Sequence, residues 1–521
     1  MRHLARRVTP AITPAIVVLT TTLIGTSAFA QPGSVQAAGS QATPLPLSGR
    51  TGQGSVVVTE APVPAATTGL NTLNPIIQAQ GPYLGSVRGR TPFSGTLGLR
   101  ETIQRGLEFN LGTIDITQLV AQARSQRTVA RSALLPHVVA DLTATREEVN
   151  LAAQGLGSVH VAVPGFQFPA VVGPFNFVDL RARLSQSIVD LPAWNNYRAS
   201  QETARATVLS ADDARELVVL GVGGAYLQVI ASKAKVDSAQ AQVETANVLF
   251  RQASDRRAVG VVAQLDVNRA QVQVLVGQQR VLSLQNDLAK QKINLARLIG
   301  LPPTDQYQLV DDVPFSAAPA ISLEEAIHQA LTTRADVKAA AVQVEAAERA
   351  LRAARSERLP AVVVSADYGY VGATPAQAQV SFAVVGLVRV PIWEGGRTDG
   401  HIQEAEAAVA QRRAELDDLM SQVEGDVRKV YLDLQAAASQ VSVAEQNLTV
   451  TRQNLDLTRQ RFDAGVTDNV ELVQAQESLS TADLDRISSL FAFNVAKLNL
   501  ARSVGRASQG LNDFLTLPPP K

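Results

Sequence analysis

The residues able to do chemistry in this chain are few and widely spaced. Histidine is the usual side chain for proton transfer and metal binding, but no two of the five histidines lie at helical spacing from each other. They are His3, His137, His160, His328 and His401. The chain has no cysteine, which excludes thiol nucleophiles, thiolate metal sites and disulfides. The sequence therefore predicts no catalytic or metal-binding site.

A glycine cluster at 221–224 resembles a phosphate-binding loop in composition, but the surrounding sequence does not match such a loop. The cluster lies in a helical pattern and lacks the Gly-Lys-Ser/Thr that would follow in such a loop. It belongs to 217–230, the most apolar stretch after the first thirty residues, which also contains Gln228. We predict a buried helical patch there rather than a membrane span, and we expect no cofactor and no enzymatic activity.

Composition narrows the class of protein. The 521 residues include 47 basic and 47 acidic side chains, so the formal net charge is zero, which argues against nucleic acid as the main partner. Aromatic residues make up only 4% of the chain, while alanine is abundant. This combination favours thin layers of closely packed helices over a thick globular core.

The first thirty residues have the pattern of an export signal. A basic start precedes an apolar run from Ala11 to Ile24 and a small-x-small site at Ala28-Phe29-Ala30. The alternative is an uncleaved anchor, for which the apolar run is short. Residues 31–96, rich in Gly, Ser, Pro and Thr, are predicted to be a disordered leader.

Two parts of the chain repeat each other. Ala130–Pro136 reappears as Ala354–Pro360 at an offset of 224 residues, and Leu295–Gly300 reappears as Leu500–Gly505 at an offset of 205. Two copies are too few for a solenoid, so we expect a pseudo-symmetric body built from two similar units. The predicted boundaries are repeat 1 at 97–300, a linker at 301–320, repeat 2 at 321–505 and a tail at 506–521.

Each copy contains two segments that alternate apolar and polar residues. They are 138–145, 178–185, 362–369 and the weaker 380–390. Alternation suits a lipid-facing barrel strand and a half-buried soluble sheet equally well. The pairing of the strands across loops favours the membrane, as does a cluster of phenylalanines at one end, namely Phe166, Phe168, Phe175 and Phe177.

The helical pattern is stronger. Short helices are predicted at about 98–109 and 322–333, followed by helices at about 114–134 and 336–358 that stop at Leu-Pro pairs. No proline occurs at 193–301 or at 392–517, so long helices can run there without interruption. Apolar residues recur every seven positions in these stretches, as in Val236, Val243 and Phe250.

The predicted lengths of these helices suggest how they pack. The helix at 194–258 would extend roughly 95 Å at 1.5 Å per residue, whereas its return helix at 264–299 is about half as long. We therefore predict one long helix paired with two stacked short ones, once per copy.

Four strands per chain cannot close a barrel, since a small closed barrel needs about eight. Open strand edges are not tolerated in lipid, so the chain is expected to oligomerise. Three copies would supply twelve strands, with the helices forming a hollow cylinder beneath them.

Over 97–505 the chain resembles the TolC family of outer-membrane efflux proteins. The segments that carry the resemblance are the Leu-Pro junctions already described, Val390–Arg397 at the second strand-to-helix junction, and the hairpin ends 258–261 and 462–466. At the first strand-to-helix junction the chain departs from the pattern, because Asp190-Leu191-Pro192 replaces the Gly-Gly turn.

The resemblance implies a mainly α-helical fold with a small β part. Long helical hairpins would form a periplasmic tunnel, and four strands per chain would contribute to a trimeric, twelve-stranded outer-membrane barrel. Such a trimer would be a passive exit duct of a tripartite efflux or type I secretion system. Its partners would be a periplasmic adaptor and an inner-membrane pump of the RND or ABC type.

The resemblance also assigns roles to particular residues. The hairpin tips would dock the adaptor; they are Val259, Gly260, Val261, Ala464, Gly465 and Val466. A periplasmic gate would include Asp266, Asp468, Glu471 and the neutral Gln474. For the tips, the alternative is a mere hairpin turn, and for the acids it is the ordinary preference of carboxylates for helix N-termini.

The polar faces of the strands carry five charged residues. They are Asp141, Asp179, Arg181, Arg183 and Asp367. If the alternation is interpreted correctly, they face the barrel lumen and tune the charge of the pore, and the alternative is a set of solvated sheet-face charges.

The competing function is a periplasmic coiled-coil adaptor. Such an adaptor has one helical hairpin flanked by β-rich domains and usually an inner-membrane anchor, whereas this chain has two hairpins and paired strands of barrel type. The exit duct is therefore the favoured interpretation.

Overall fold

The computed structural model of the protein describes residues 55–60, 75–87, 89, 95–155, 169–304, 307–310, 321–467, 469–508, 510 and 514–515. These residues fall into two compact units. The sheet unit comprises Pro136–Ile188 and Val362–Val388, and the helical unit comprises the other described residues. The predicted signal at 1–30 lies outside the described residues.

The elements follow one another in the same order in 99–298 and in 323–503: two short helices, two strands and two long helices. In chain order the elements are β1 Val56–Glu60, β2 Pro75–Ala79, β3 Gly95–Leu97, α1 Leu99–Phe109, α2 Leu111–Ser132, β4 His137–Asn150, β5 Val171–Val189, α3 Leu191–Ala258, α4 Gln264–Leu298, β6 Tyr307–Leu309, α5 Leu323–Thr333, α6 Ala335–Ser356, β7 Ala361–Gly372, β8 Gln379–Arg389, α7 Arg397–Asp463 and α8 Asn469–Ser503.

The predicted helices are confirmed with small shifts at their ends. The helices α2 and α6 end at Ser132 and Ser356, a few residues before the Leu-Pro pairs. Their final turns tighten, because the amides of Leu135 and Leu359 donate to carbonyls three residues earlier. At the junction that departs from the family pattern, the Asp190 side chain accepts a hydrogen bond from the Ala193 amide at 2.8 Å and so caps α3.

The long helices pack as antiparallel pairs that involve both halves of the chain. Helix α3 packs against α4 and α2, and α7 packs against α8 and α6, as the length argument predicts. In addition, α6 packs extensively against α3, and α8 contacts α3 as well. The two halves are therefore interleaved rather than folded separately.

The glycine cluster of α3 lies in the core of the helical unit. Val218, Val219 and Tyr226 are at most 2% exposed, which confirms the predicted buried patch. Among the described residues, α3 is the one helix whose length and composition would allow it to cross a membrane, but 67% of its apolar window is buried inside the protein. Close packing explains the glycines, since a Cβ at Gly224 would lie 1.6 Å from Ile77 Cδ1.

Part of the predicted disordered leader is ordered. The strands β1 and β2 form an antiparallel pair within 31–96, and Val56 and Tyr83 are buried against the helical core. The Val87 amide donates to the Phe109 carbonyl at 2.8 Å, and the Gly89 amide donates to the Gly300 carbonyl at 2.9 Å. The prediction of disorder is therefore wrong for these residues, because they find apolar surface and hydrogen-bond partners on the distant helices.

Parts of the predicted linker and tail are also ordered. In the linker, β6 pairs in parallel with β3. In the tail, the Ala507 amide donates to the buried Glu216 carboxylate at 2.6 Å. Both segments thus join the helical unit instead of merely connecting or ending it.

The sheet unit contains one four-stranded sheet in the order β4-β5-β7-β8. The strands β4 and β5 are antiparallel, with Val138 opposite Leu184 and Leu142 opposite Leu180. Cross-strand partners point to the same side of a sheet, so the two predicted apolar faces coincide. The strands are longer than the predicted segments, most of all β5. The residues on either side of the alternating segments continue the backbone pairing between β4 and β5 as far as Asn150 and Val171.

Candidate functional site

The first hairpin end is closed by a glycine-dependent cap. After α3 ends at Ala258, Gly260 has a φ angle of +78°, a left-handed conformation that glycine adopts without steric cost. The Gly260 amide donates to the Arg257 carbonyl at 3.0 Å, and the Val261 amide donates to the Arg256 carbonyl at 2.9 Å. These two bonds form a Schellman motif, which satisfies the last carbonyls of the helix.

The second hairpin end has the same construction. Gly465 has a φ angle of +72°, its amide donates to the Phe462 carbonyl at 3.1 Å, and the Val466 amide donates to the Arg461 carbonyl at 2.9 Å. Both tips expose apolar side chains, since Val259, Val261 and Val466 are 74%, 71% and 68% exposed. Each tip is a capped turn carrying valines in contact with solvent, and the docking role of these residues stays a prediction.

An arginine joins the two tips within one chain. Arg256 Nη2 lies 2.6 Å from Asp463 Oδ1, although the two residues are far apart in sequence. The same guanidinium lies 5.0 Å from the centre of the Phe462 ring, within cation–π range. The ends of α3 and α7 are therefore neighbours, and the tips form one composite surface.

The predicted gate acids are held inside their own hairpins. Asp266, in the first turn of α4, lies 3.5 Å from Arg269 Nη1. Glu471, in the first turn of α8, accepts hydrogen bonds from Arg461 Nη1 at 3.3 Å and from Thr467 Oγ1. Gln474 is exposed on the next turn of α8. Asp468 lies outside the described residues.

The five charged residues of the sheet share one face and are paired. Arg181 bridges Asp179 Oδ1 at 2.9 Å and Asp367 Oδ2 at 3.1 Å, and Arg183 Nη1 lies 2.7 Å from Asp141 Oδ2. The ladder places Asp141 directly opposite Arg181. Three acids and two arginines thus form a nearly neutral cluster, and its location in a pore lumen stays a prediction.

The sequence patterns did not single out Arg256 and Arg461 at the tips, and they included Asp463 only as part of the hairpin end 462–466. A signal for the arginines was present, because the offset of 205 residues that aligns the two tips also aligns Arg256 with Arg461. The pairing of Arg256 with Asp463 had no such signal, since it depends on the packing of α3 beside α7.

Within the part of the chain that the structure describes, no group of three or more histidine or acidic side chains is arranged to hold a metal ion. The features of the described residues that bear on function are the two hairpin tips, the ion pairs beside them and the sheet with one apolar and one charged face.

Comparisons with known proteins agree on one family. The family model described as outer membrane efflux protein matches residues 116–301 and 326–506. Among curated relatives, the outer membrane protein TolC of Vibrio cholerae is 22% identical over 393 residues, which are 73% of this chain and 84% of that protein. The pyoverdine export outer membrane protein OpmQ of Pseudomonas putida is 24% identical over 330 residues, which are 61% of this chain. The match spans 65% of the length of OpmQ, just under two thirds.

Solved structures show the same fold. The outer membrane protein VceC of Vibrio cholerae superimposes with a TM-score of 0.65 at 19% identity, over 78% of this chain and 96% of that one. The CmeC outer membrane channel of Campylobacter jejuni gives a TM-score of 0.67 at 14% identity, over 89% of this chain and 99% of that one.

Proposed function

This chain belongs to the outer membrane efflux protein family, and from that premise we propose that it is the outer-membrane exit duct of a tripartite efflux or type I secretion system. In this role it is passive. Cargo enters at the hairpin tips, passes along a helical tunnel in the periplasm and leaves through a β-barrel in the outer membrane.

The single observation that carries this proposal is the four-stranded amphipathic sheet with two unpaired edges. One face exposes large apolar side chains, such as Leu142 and Phe382, which are 70% and 72% exposed in the single chain. The other face holds the paired charges around Arg181. A sheet with one apolar and one charged face suits lipid on one side and water on the other.

The edges of that sheet support a trimer. The strands β4 and β8 lie at the two ends of the strand order, so among the described residues of a single chain each has one neighbouring strand. Backbone groups at a strand edge cannot remain unpaired in lipid. Three copies joined edge to edge give twelve strands and close the barrel.

The helices support the same assembly. On α7, Val443, Val450 and Leu457 are exposed at intervals of seven residues, and on α4, Leu265 and Val272 are spaced in the same way. Exposed heptad stripes of this kind are buried when two helices pack as a coiled coil. We assign them to contacts with neighbouring copies, which would complete the tunnel wall. Because each chain would contribute two similar halves, a ring of three copies would have quasi-sixfold symmetry.

We assign the partners to the tips. A periplasmic adaptor would dock against the exposed valines and the glycine turns at 259–261 and 464–466, and an inner-membrane pump of the RND or ABC type would supply energy. The rigid Schellman caps and the Arg256–Asp463 contact support this assignment, because they hold the two tips of one chain as a single preformed surface.

Cell fractionation tests the proposal against the adaptor alternative. The protein is expected in the outer-membrane fraction, released by detergent but not by high salt. Deletion of its gene is expected to raise the sensitivity of the host to the cargo of the cognate pump. Recovery of the protein with the inner membrane or in the soluble periplasm would contradict the exit duct.

A further inference from the structure

The two hairpin ends carry opposite charges. We define the first end segment as 251–269 and the second as 456–474, which correspond at the offset of 205 residues. The first contains four arginines and two acids, for a net charge of +2. The second contains two arginines and four acids, for a net charge of −2. Together the two end segments are neutral.

The structure places an arginine beside three of the six acids in these end segments. Arg256 of the first end segment reaches Asp463 of the second at 2.6 Å, so the opposite charges meet directly. Arg461 pairs with Glu471 at 3.3 Å, and Arg269 pairs with Asp266 at 3.5 Å. The acids at both predicted gate positions in the described residues therefore have an arginine beside them.

These ion pairs are important for the local field rather than for stability. The side chains of Arg461 and Glu471 are both about half exposed, and such pairs contribute little to the free energy of folding. A ring of carboxylates selects cations because its negative potential extends into the pore. An arginine about 3 Å away turns each charge into a dipole, whose potential decays well within the Debye length of about 8 Å.

We propose that the entrance of this duct is charge-balanced and has little preference for cations over anions, with Arg256 and Arg461 as the residues that set this property. The inference rests on the proposed function, since it requires a conducting channel with the tips at its mouth. In a trimer, positive and negative ends alternate around the rim. Anionic solutes then enter as readily as cationic ones.

The test is the reversal potential of the purified full-length protein in a planar bilayer under a KCl gradient. Wild type is expected to show a K⁺/Cl⁻ permeability ratio within about twofold of unity. Arg256→Gln and Arg461→Gln should each raise the ratio by about threefold or more, because they remove the positive charge beside Asp463 or Glu471. Glu471→Gln should lower the ratio, since Arg461 then acts alone.

A matched control is Arg428→Gln, which removes one arginine of an exposed pair with Glu424 on α7. It lies about 50 Å from the tip along the helix, at 1.5 Å per residue, and is expected to leave the ratio within the wild-type range. A wild-type channel with strong cation preference, or rim variants that behave like the control, would overturn the charge balance alone. A protein that inserts but never conducts would overturn the proposed duct and this inference with it.

Discussion

Asn110 and Arg334 perform the same task in the two halves of the chain. Each is the single residue between a short helix and the next, and the two are related by the offset of 224 residues that aligns the Leu-Pro junctions. Asn110 Nδ2 donates to the Leu298 carbonyl at 3.3 Å, and Arg334 Nη1 donates to the Ser503 carbonyl at 3.5 Å. Both residues are buried, and both tie the end of a return helix to the short helices of its own half.

The arginine depends on a buried partner that asparagine does not need. Arg334 holds Asp336 through two hydrogen bonds, at 3.0 and 2.7 Å. Burial by itself would raise the pKa of Asp336, but the hydrogen bond and the charge of Arg334 outweigh burial and lower it. The carboxylate therefore contributes stability at neutral pH that is lost as the pH falls below the ordinary carboxyl range.

Arg334→Gln is expected to lower the free energy of unfolding by about 3–5 kcal/mol at pH 7, because it removes the arginine that forms an ion pair with the buried Asp336 carboxylate. The deficit should shrink at acidic pH, where Asp336 of the variant becomes protonated. Thermal unfolding of the detergent-solubilised protein measures both effects. The control Arg428→Gln, at an exposed pair, should cost less than about 0.5 kcal/mol, and an equal loss in the two variants would contradict the account.

Lys497 makes the stability of the protein depend on pH in the alkaline range. Its side chain is fully buried in α8, and burial lowers its pKa to about 8. The folded protein therefore binds fewer protons than the unfolded chain between about pH 8 and 10, so stability should rise with pH across that window.

Lys497→Met removes the cost of burying a charge. The variant is expected to be more stable than wild type at pH 7, by an amount on the order of 2–3 kcal/mol, and the gain should fade above about pH 10. The contact between Lys497 and the Phe493 ring, at 4.9 Å, reduces the gain. Lys429→Met, at an exposed position, serves as the control. A gain that is the same at pH 7 and pH 10 would argue against a charged lysine in the core.

Two glycines of α3 offer a matched pair for testing the docking of β1 and β2. Both substitutions to alanine gain helix propensity of up to about 1 kcal/mol. At Gly221 the new Cβ would meet Val56 at 3.4 Å, whereas at Gly224 it would overlap Ile77. Gly224→Ala should therefore loosen the leader and speed its proteolysis, while Gly221→Ala should not, and Ile77→Val should partly restore Gly224→Ala. Equal protease resistance in the two glycine variants would show that the strands are not docked in this way.

The tips are tested by Gly260→Asp and Gly465→Asp. A non-glycine residue in the left-handed conformation costs roughly 1–2 kcal/mol, too little to prevent assembly. Each change also places a charge on the proposed docking surface, so export should be lost while trimers persist. Gly425→Asp is the control, because a side chain at this helical position meets open space. Normal export in both tip variants, measured as cargo sensitivity, would refute docking at the tips.

The sequence predicted the long helices and the strand faces because both depend on local periodicity. The heptads from Val236 to Phe250 give α3, and the alternation around Leu142 and Leu180 gives the register of β4 and β5. The order in β1 and β2 was missed, although the run Val56-Val57-Val58-Thr59 is β-branched, because their docking surface on α3 lies about 165 residues away in the chain. The Arg256–Asp463 contact was missed for the same reason, since non-local packing creates it.

The central claim is that three copies of the chain close one barrel and one tunnel. The most direct measurement is the mass of the particle extracted from the outer membrane, obtained by native mass spectrometry in detergent. The account predicts a particle of three chains that requires detergent to stay in solution. A single chain of this protein that remains folded and soluble in water without detergent would contradict it.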